Sequence, residues 1–179
     1  MNSTLTIRIY GDSCLRKKSA PVTNVGPGER LLIASMLETM SQHKGIGLAA
    51  PQVGINQQII VIDIGEGPMA MINPKILKRR GSALMEEGCL SIPGVVVDVN
   101  RPEEIQVEYL DENNRTVRRA FKELLARVVQ HETDHLHGKL IVDHVGWGQK
   151  LRVRKQLKEV LKYGRALEPQ KPQRPVKES

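Results

Sequence analysis

Apolar residues recur with the spacing of an α-helix in three stretches of the chain. Over residues 29–43 they fall on one stripe, and Gly45 is placed to end that helix. A second helix is predicted over residues 122–137, with a stop at Gly138. A third is predicted over residues 147–163, where a narrow apolar stripe faces a broad polar side.

The region between the first two helices has the pattern of β-strands. Short runs rich in β-branched residues are separated by turn-forming residues, and no helix is placed regularly between them, which favours antiparallel pairing. Residues 1–28 are predicted to form a short strand followed by a loop. The fold class is therefore α+β. The predicted strands of the central region cover residues 59–64, 69–72, 95–99, 105–110 and 116–121.

Composition narrows the class of protein. The chain has 179 residues, 40% hydrophobic and 26% charged, as in a single globular domain. No apolar run approaches the ~18 residues of a membrane span, and the N-terminus has no apolar core of a signal peptide. The two cysteines, Cys14 and Cys89, are too few for a disulfide framework. Secreted, membrane-spanning and fibrous classes are excluded, and a cytoplasmic location is expected.

The positive charge is concentrated at one end. The net charge is +7, and residues 150–179 carry ten Lys and Arg against three Glu, so residues 1–149 are neutral overall. A basic segment on a neutral body indicates a local anionic partner, although a solvated helix face explains such a run equally well. Few bulky apolar anchors accompany the charge, which disfavours a membrane as that partner.

The second predicted helix carries the motif His-Glu-x-x-His. His131 and His135 are four residues apart, so their imidazoles lie on one face and can reach a single ion, with Glu132 beside them. The alternative is a polar helix face near a C-terminus, where the helix dipole favours histidine. That alternative is disfavoured, because ionisable groups clustered on an otherwise apolar helix would cost stability without a use.

Two histidines leave the ligand set incomplete. Downstream the chain offers only His137, Asp143 and His144, and His137 lies off the ligand face. Cys89 is the better candidate, because a thiolate binds borderline divalent ions strongly and the preceding Gly88 permits a close approach of the backbone. The alternative for Cys89, and the preferred interpretation of Cys14, is a small buried hydrophobic residue.

Residues 45–52, Gly-Ile-Gly-Leu-Ala-Ala-Pro-Gln, begin with a match to the dinucleotide-binding fingerprint. That function is rejected because the segment follows a helix and Pro51 disfavours the required helix start. Small residues here let an extended peptide lie close to the backbone, and Gln52 could donate to a developing oxyanion. A helix stop followed by a turn explains the segment equally well.

Taken together, the three segments resemble the peptide deformylase family. Its motifs G-x-G-x-A-A-x-Q, E-G-C-x-S and H-E-x-D-H are matched in order by residues 45–52, 87–91 and 131–135. The similarity extends over about residues 6–142. It implies antiparallel β-sheets packed around a central helix that carries His-Glu-x-x-His, with an N-terminal and a C-terminal helix. The expected units are a catalytic domain over 1–146, a basic helix over 147–166 and a disordered tail over 167–179.

The resemblance implies a hydrolase that removes the formyl group from the N-terminal formyl-methionine of newly made polypeptides. Cys89, His131 and His135 would bind Fe²⁺, for which Zn²⁺, Ni²⁺ or Co²⁺ can substitute. Glu132 would act as general base on the metal-bound water and then as acid. The Gln52 side chain and the Leu90 backbone N–H would hold the oxyanion.

Further roles follow from the same resemblance. Asp134 is expected to support the ligands, with Arg101 as its partner; a solvated loop charge is an equally good interpretation of Arg101. The basic C-terminal helix is expected to contact the ribosome through its RNA. Two departures from the family are Glu123, where glycine is usual, and Ser13-Cys14 in the N-terminal turn. The residues expected to bind the substrate are Ile46, Gly47, Met85, Leu124 and Val128.

Two other functions are compatible with parts of the pattern. One is a structural zinc site, which normally has four protein ligands where three are evident here. The other is an RNA-binding accessory protein with a decayed metal site. Neither requires Glu132 or Gln52, so the presence of both favours the enzyme.

Overall fold

A computed structural model of the chain describes residues 4–167. Seven strands form two antiparallel sheets, one of five strands in the order β1-β2-β3-β6-β7 and one of two, β4-β5. The elements are α1 (Pro27–Gln42), β1 (Gly47–Ala49), β2 (Ile59–Ile62), β3 (Met69–Arg80), β4 (Ala83–Glu87), β5 (Val97–Arg101), β6 (Glu104–Leu110), β7 (Thr116–Lys122), α2 (Glu123–Leu136) and α3 (Trp147–Leu167).

Helix α2 packs against the large sheet. Ala126, Val129 and Leu136 lie on its buried face and join a cluster with Ile60 of β2 and Phe121 of β7. Burial of apolar surface on this scale, at ~25 cal/mol per Å², fixes the helix on the sheet. The opposite face of the same helix meets the small sheet, so α2 lies between the two sheets as the resemblance implied.

The three predicted helices are confirmed with small changes at their ends. Helix α1 begins at Pro27, with the Glu29 carboxylate accepting from the Gly26 N–H at 2.9 Å, and its last turn is closed by the Gly45 N–H donating to the Met40 carbonyl. Helix α2 ends at Leu136, just before Gly138, whose φ is +70°. This left-handed conformation favours glycine.

The antiparallel strands are confirmed, but two were not predicted. Strand β1 has only three residues within a glycine-rich run, and β4 (Ala-Leu-Met-Glu-Glu) has a helix-favouring composition that pairing with β5 overrides. Strand β3 extends through a polar run to Arg80, well beyond its predicted end. The prediction of a strand near the N-terminus is wrong, because no β-strand forms within residues 4–28. The chain is extended there, and the Arg8 N–H donates to the Gln52 carbonyl at 2.7 Å.

Helix α3 docks on the body through its apolar stripe. Val153 and Val160 are buried with Leu15 and Ile92, and the Gln149 amide donates to Asp98 at 2.8 Å. No helix of the described part of the chain is long and apolar enough to cross a membrane. Residues 168–179, which make up all but the first residue of the predicted tail, lie outside the described part of the chain. The cations of α3 lie exposed at Lys150, Arg152, Arg154, Lys155, Lys158 and Lys162.

Cys14 is partly buried, and the environment keeps its thiol protonated. Burial is the main reason that its pKa rises to about 12, and the neighbouring Asp12 raises it further. Its Sγ lies 3.5 Å from the Pro51 carbonyl. The predicted role as a packing residue is therefore only partly met, since the side chain keeps some exposure.

Candidate metal centre and active-site cavity

Helix α2 and the turn after β4 bring three metal-ligating side chains together. Cys89, His131 and His135 each offer one ligand atom, and these atoms lie within 4.8 Å of one another. The Cys89 Sγ and the His135 Nε2 are 3.3 Å apart. Both imidazoles come from one helix face because they are one turn apart, as the sequence predicted.

The chemistry of this cluster fits a divalent cation. A thiol and two imidazoles are ligands for Fe, Co, Ni and Zn, and three protein ligands leave a position open, as catalytic sites require. Burial lowers the pKa of His135 well below its usual value, which keeps the imidazole neutral and able to ligate. Among the described residues the buried His135 Nδ1 has no hydrogen-bond partner.

The buried carboxylate of Glu87 orients His131. It accepts from the His131 Nδ1 at 3.0 Å, which leaves the Nε2 of that ring directed toward the other ligands. Arg101 donates to it through Nε and Nη2 at 2.7 and 3.0 Å, and Arg127 through Nη1 at 2.6 Å. Burial opposes ionisation of Glu87, but the hydrogen bonds from His131 and Arg101 hold its pKa at about 2.

Arg101 and Arg127 extend the hydrogen-bond network around Glu87 to helix α2 and to the small sheet. Arg101 also donates to Asp134 at 2.7 Å, and Asp134 is 2.7 Å from the His144 Nε2. Arg127 also donates to the Val99 carbonyl at 2.9 Å and the Ala83 carbonyl at 2.7 Å, which ties helix α2 to both strands of the small sheet. The buried carboxylate and the buried guanidinium groups therefore neutralise one another, because an unpaired buried charge would be strongly destabilising.

The side chain of Gln52 is held by its neighbours. Its Oε1 accepts from the Ala49 N–H at 2.8 Å, so its Nε2 points toward the ligands. That nitrogen donates to the Ser91 hydroxyl at 3.2 Å and lies 3.5 Å from the Cys89 Sγ. A fixed donor beside the ligand cluster is suited to stabilising negative charge as it develops on a bound carbonyl.

Glu132 is buried next to strand β1. Within residues 4–167 its Oε2 has no hydrogen-bond partner, and burial raises the pKa of this carboxyl to about 7. Gly47 allows this packing, because a Cβ at that position would lie 2.9 Å from the Glu132 Cδ and 2.8 Å from the Val128 Cγ1. A glycine is therefore required where the strand passes the carboxylate.

A cavity of about 620 Å³ opens over this cluster. Ile46, Leu124 and Val128 contribute apolar wall, and Ile46 and Leu124 are 44% and 42% exposed. Met85, the remaining residue expected to bind substrate, does not line this cavity; it borders a neighbouring hollow that shares Leu124 and Arg127. The cavity wall also includes Gly47, Gln52, Glu87, Cys89, Leu90, His131 and Glu132.

Sequence reasoning gave no role to four residues of the site: Glu87, Ser91, Arg127 and His144. Arg127 could have been found, since it precedes His131 by four residues and therefore lies on the same face of an apolar helix. Glu87 carries a weaker signal, because its position next to Gly88 and Cys89 does not indicate which ring it contacts. The partners of Ser91 and His144 depend on the tertiary fold and leave no local pattern.

Comparisons with known proteins agree on one family. The family profile described as polypeptide deformylase matches residues 4–150. A peptide deformylase of Alkalilimnicola ehrlichii is 46% identical over 165 residues, which is 90% of this chain and 93% of that protein. The crystal structure of the Thermotoga maritima peptide deformylase is 43% identical, with a TM-score of 0.79 over 80% of this chain and 99% of that one. A plant peptide deformylase structure is 32% identical, with a TM-score of 0.88 over 97% and 98% of the two chains.

Proposed function

This chain belongs to the polypeptide deformylase family, metal-dependent hydrolases that remove the formyl group from the N-terminus of new polypeptides, and we propose which of its residues perform the reaction. The observation that carries the proposal is the convergence of Cys89, His131 and His135 beside a buried carboxylate, Glu132, in an open cavity. That arrangement is typical of metal-assisted hydrolysis of an amide.

Cys89, His131 and His135 would hold the metal, and we infer Fe²⁺ as the native ion. An ion bound there would polarise the formyl carbonyl and make a coordinated water acidic at neutral pH. Fe²⁺ is what the family resemblance implies, and the ligand set of one thiolate and two imidazoles also accepts Zn²⁺, Ni²⁺ and Co²⁺. The thiol must stay reduced to serve as a ligand, which supports a cytoplasmic location.

Glu132 would move the protons of the reaction. Its carboxylate takes a proton from the attacking water, whose oxygen adds to the formyl carbon. The same carboxyl then returns the proton to the amine nitrogen as the C–N bond breaks, so the products are formate and a free N-terminus. Support comes from its burial beside Gly47 and from an Oε2 that has no partner within residues 4–167. General acid–base catalysis of this kind contributes about 10²–10⁴ in rate.

Gln52 and Leu90 would stabilise the oxyanion. The Gln52 Nε2 is fixed by the Ala49 and Ser91 contacts and lies beside Cys89. The Leu90 N–H immediately follows a ligand in the chain and donates to no acceptor within the described part of the structure. One preorganised donor is worth about 3 kcal/mol of barrier.

The apolar wall would bind the methionine side chain. Ile46, Leu124 and Val128 line the cavity, and two of them present exposed apolar surface to it. Gly47 would let the substrate backbone approach strand β1 closely. Met85 borders the neighbouring hollow together with Leu124, so we propose that it shapes the methionine pocket from that side.

The reaction can be tested by formate release from an N-formyl-methionyl tripeptide, using protein loaded anaerobically with Fe²⁺. Chelator-sensitive release is expected. The N-acetyl tripeptide is the matched control, with the free N-terminal amine measured for both substrates, because hydrolysis of the acetyl group would release acetate in place of formate. Absence of formate release by folded, metal-loaded protein would contradict the proposed function.

We propose the ribosome as a partner of helix α3. Lys155, Lys158 and Lys162 lie exposed on the side opposite the docked valines. Contacts of Lys and Arg with RNA phosphates give strong, salt-dependent binding. Lys155→Glu with Lys158→Glu should weaken co-sedimentation with ribosomes at low salt. Lys75→Glu with Lys78→Glu makes the same change of charge on strand β3 and should not. Equal pelleting of the two variants would refute this partner.

A further inference from the structure

Lys44 lies in the wall of the active-site cavity, between the end of helix α1 and the start of strand β1. The residue is exposed. Within residues 4–167 its ammonium group forms no ion pair with a carboxylate. The positive charge at this point of the wall is therefore available to a bound molecule.

The backbone of Lys44 has a conformation that favours glycine. Its φ is +54°, in the left-handed region, and its N–H donates to the Ser41 carbonyl at 2.9 Å. Helices often end on such a residue, which is usually glycine because glycine has no Cβ. A lysine here is less stable than glycine would be, and such strained residues cluster at sites that contact ligands.

The other charged residues of the cavity wall are paired or directed elsewhere. Arg127 donates to the Glu87 carboxylate at 2.6 Å, so these two charges neutralise one another. Glu86 lies on the opposite face of the small sheet from Glu87, because successive residues of a strand face opposite sides. His43 has its Nδ1 2.9 Å from a carbonyl of helix α1. Among the described residues of this wall, Lys44 is therefore the one ammonium or guanidinium group without an acidic partner.

Lys44 is near enough to the reacting groups to meet an early residue of the substrate. It precedes Gly47 by three positions, and Gly47 packs on the Glu132 carboxylate. Three residues of chain span at most about 11 Å, which is also the length of about three residues of an extended peptide. The side chain at the second, third or fourth position of a formyl-methionyl peptide is therefore within reach of Lys44.

We propose that Lys44 gives the enzyme a charge preference, by attracting an acidic side chain at one of these three positions of the substrate. The inference rests on the proposed function, because the peptides concerned are the substrates of that reaction. An exposed ion pair is weak and is screened by salt, so the preference amounts to about threefold in kcat/KM. The attraction acts equally on the bound substrate and on the transition state, so it changes KM and not kcat.

The test uses formyl-methionyl pentapeptides with an amidated C-terminus, so that one varied side chain carries the only charge. Asp at the second, third and fourth positions is compared with Asn at the same position, which has nearly the same shape and no charge. With the Fe²⁺-loaded protein, kcat/KM should be about threefold higher for at least one Asp peptide than for its Asn counterpart, through a lower KM. The ratio should fall toward one at about 0.5 M salt.

Variants of Lys44 separate its charge from other effects. Lys44→Gln should bring the Asp to Asn ratio to one, and Lys44→Glu should invert it. Lys75→Glu makes the same change of charge at an exposed lysine outside the cavity and should keep the ratio of the unmodified protein.

Equal kcat/KM for every Asp and Asn pair in the unmodified protein would overturn the proposal. So would a ratio left unchanged by Lys44→Glu, which would assign the lysine to the end of helix α1, where the helix dipole favours a cation. Failure to release formate from any of the peptides would instead count against the proposed function.

Discussion

The Glu87 carboxylate accepts a hydrogen bond from the His131 Nδ1 at 3.0 Å while two buried arginines donate to the same carboxylate. This contact fixes both the tautomer and the orientation of one metal ligand. It also makes the strand β4, which the sequence did not reveal, part of the metal centre. The ligand set is therefore held by charge as well as by packing.

Glu87→Gln should weaken metal binding. The amide cannot balance Arg101, Arg127 and His131, so the ring loses its fixed orientation, and loss of such a partner costs about 10–100-fold in metal affinity. The dissociation constant can be measured by competition with a chromophoric chelator. Glu86→Gln is the matched control, because Glu86 is exposed and should leave metal affinity unchanged. Equal affinities of the two variants would show that Glu87 does not position the ligand.

Gly47→Ala should impair catalysis more than metal binding. A Cβ at Gly47 would displace the side chains of Glu132 and Val128, and displacing a catalytic group by ~1 Å can lower the rate about a hundredfold. We expect kcat to fall while metal content stays that of the unmodified chain. Gly148→Ala, outside the active-site cavity, places its Cβ in open space and is the control for thermal stability. Unchanged kcat in Gly47→Ala would contradict the tight packing on Glu132.

Glu123→Gly should stabilise the protein. Glu123 begins α2 with φ at +52°, a left-handed conformation that costs a residue with a Cβ about 1–2 kcal/mol. Glycine removes that cost, but part of the gain is offset because glycine also increases the entropy of the unfolded chain. The free energy of unfolding should therefore be about 1 kcal/mol higher for Glu123→Gly than for Glu123→Ala. Both variants lose the carboxylate, so the difference between their stabilities in urea denaturation reports the effect of the backbone conformation alone. Equal stability of Gly and Ala would refute the strain.

Asp143→Asn should lower stability at neutral pH but not in acid. Burial raises the pKa of Asp143, yet the hydrogen bonds from Arg16 and the Leu140 N–H lower it more, so its pKa lies below the usual value. A lowered carboxyl pKa gives stability that is complete above the unfolded value of ~3.9 and is lost as pH falls through the folded value.

The expected loss in the free energy of unfolding at pH 7 is about 0.5 kcal/mol. The value is small because the Arg16 and Asp143 side chains are both more than a third exposed, so that solvent screens their charges. Asparagine still accepts from the Leu140 N–H, so the variant tests the charge. The stability loss can be measured by denaturation at pH 7 and pH 3 with chelator present. The stability loss caused by Arg16→Gln should depend on pH in the same way. A difference that persists in acid would assign the effect to packing.

The sequence predicts the elements and the ligands of this protein better than the contacts that support them. The imidazoles of His131 and His135 could be placed together because helical periodicity alone fixes their separation. The contact of Glu87 with His131 could not, because it requires the pairing of β4 with β5, and β4 has the composition of a helix. Glu123 was noticed as a departure from the family, but only the backbone geometry gives the reason why glycine is favoured there.

The proposed role of Glu132 is the central claim, and Glu132→Gln tests it most directly. Formate release from the N-formyl-methionyl tripeptide and metal content should be measured side by side in Fe²⁺-loaded Glu132→Gln and unmodified protein. We expect equal metal content and a fall in kcat of at least about a hundredfold, since glutamine keeps the volume but cannot accept the proton. Metal retained with undiminished formate release would contradict the account, because another group would then have to move the protons of the reaction.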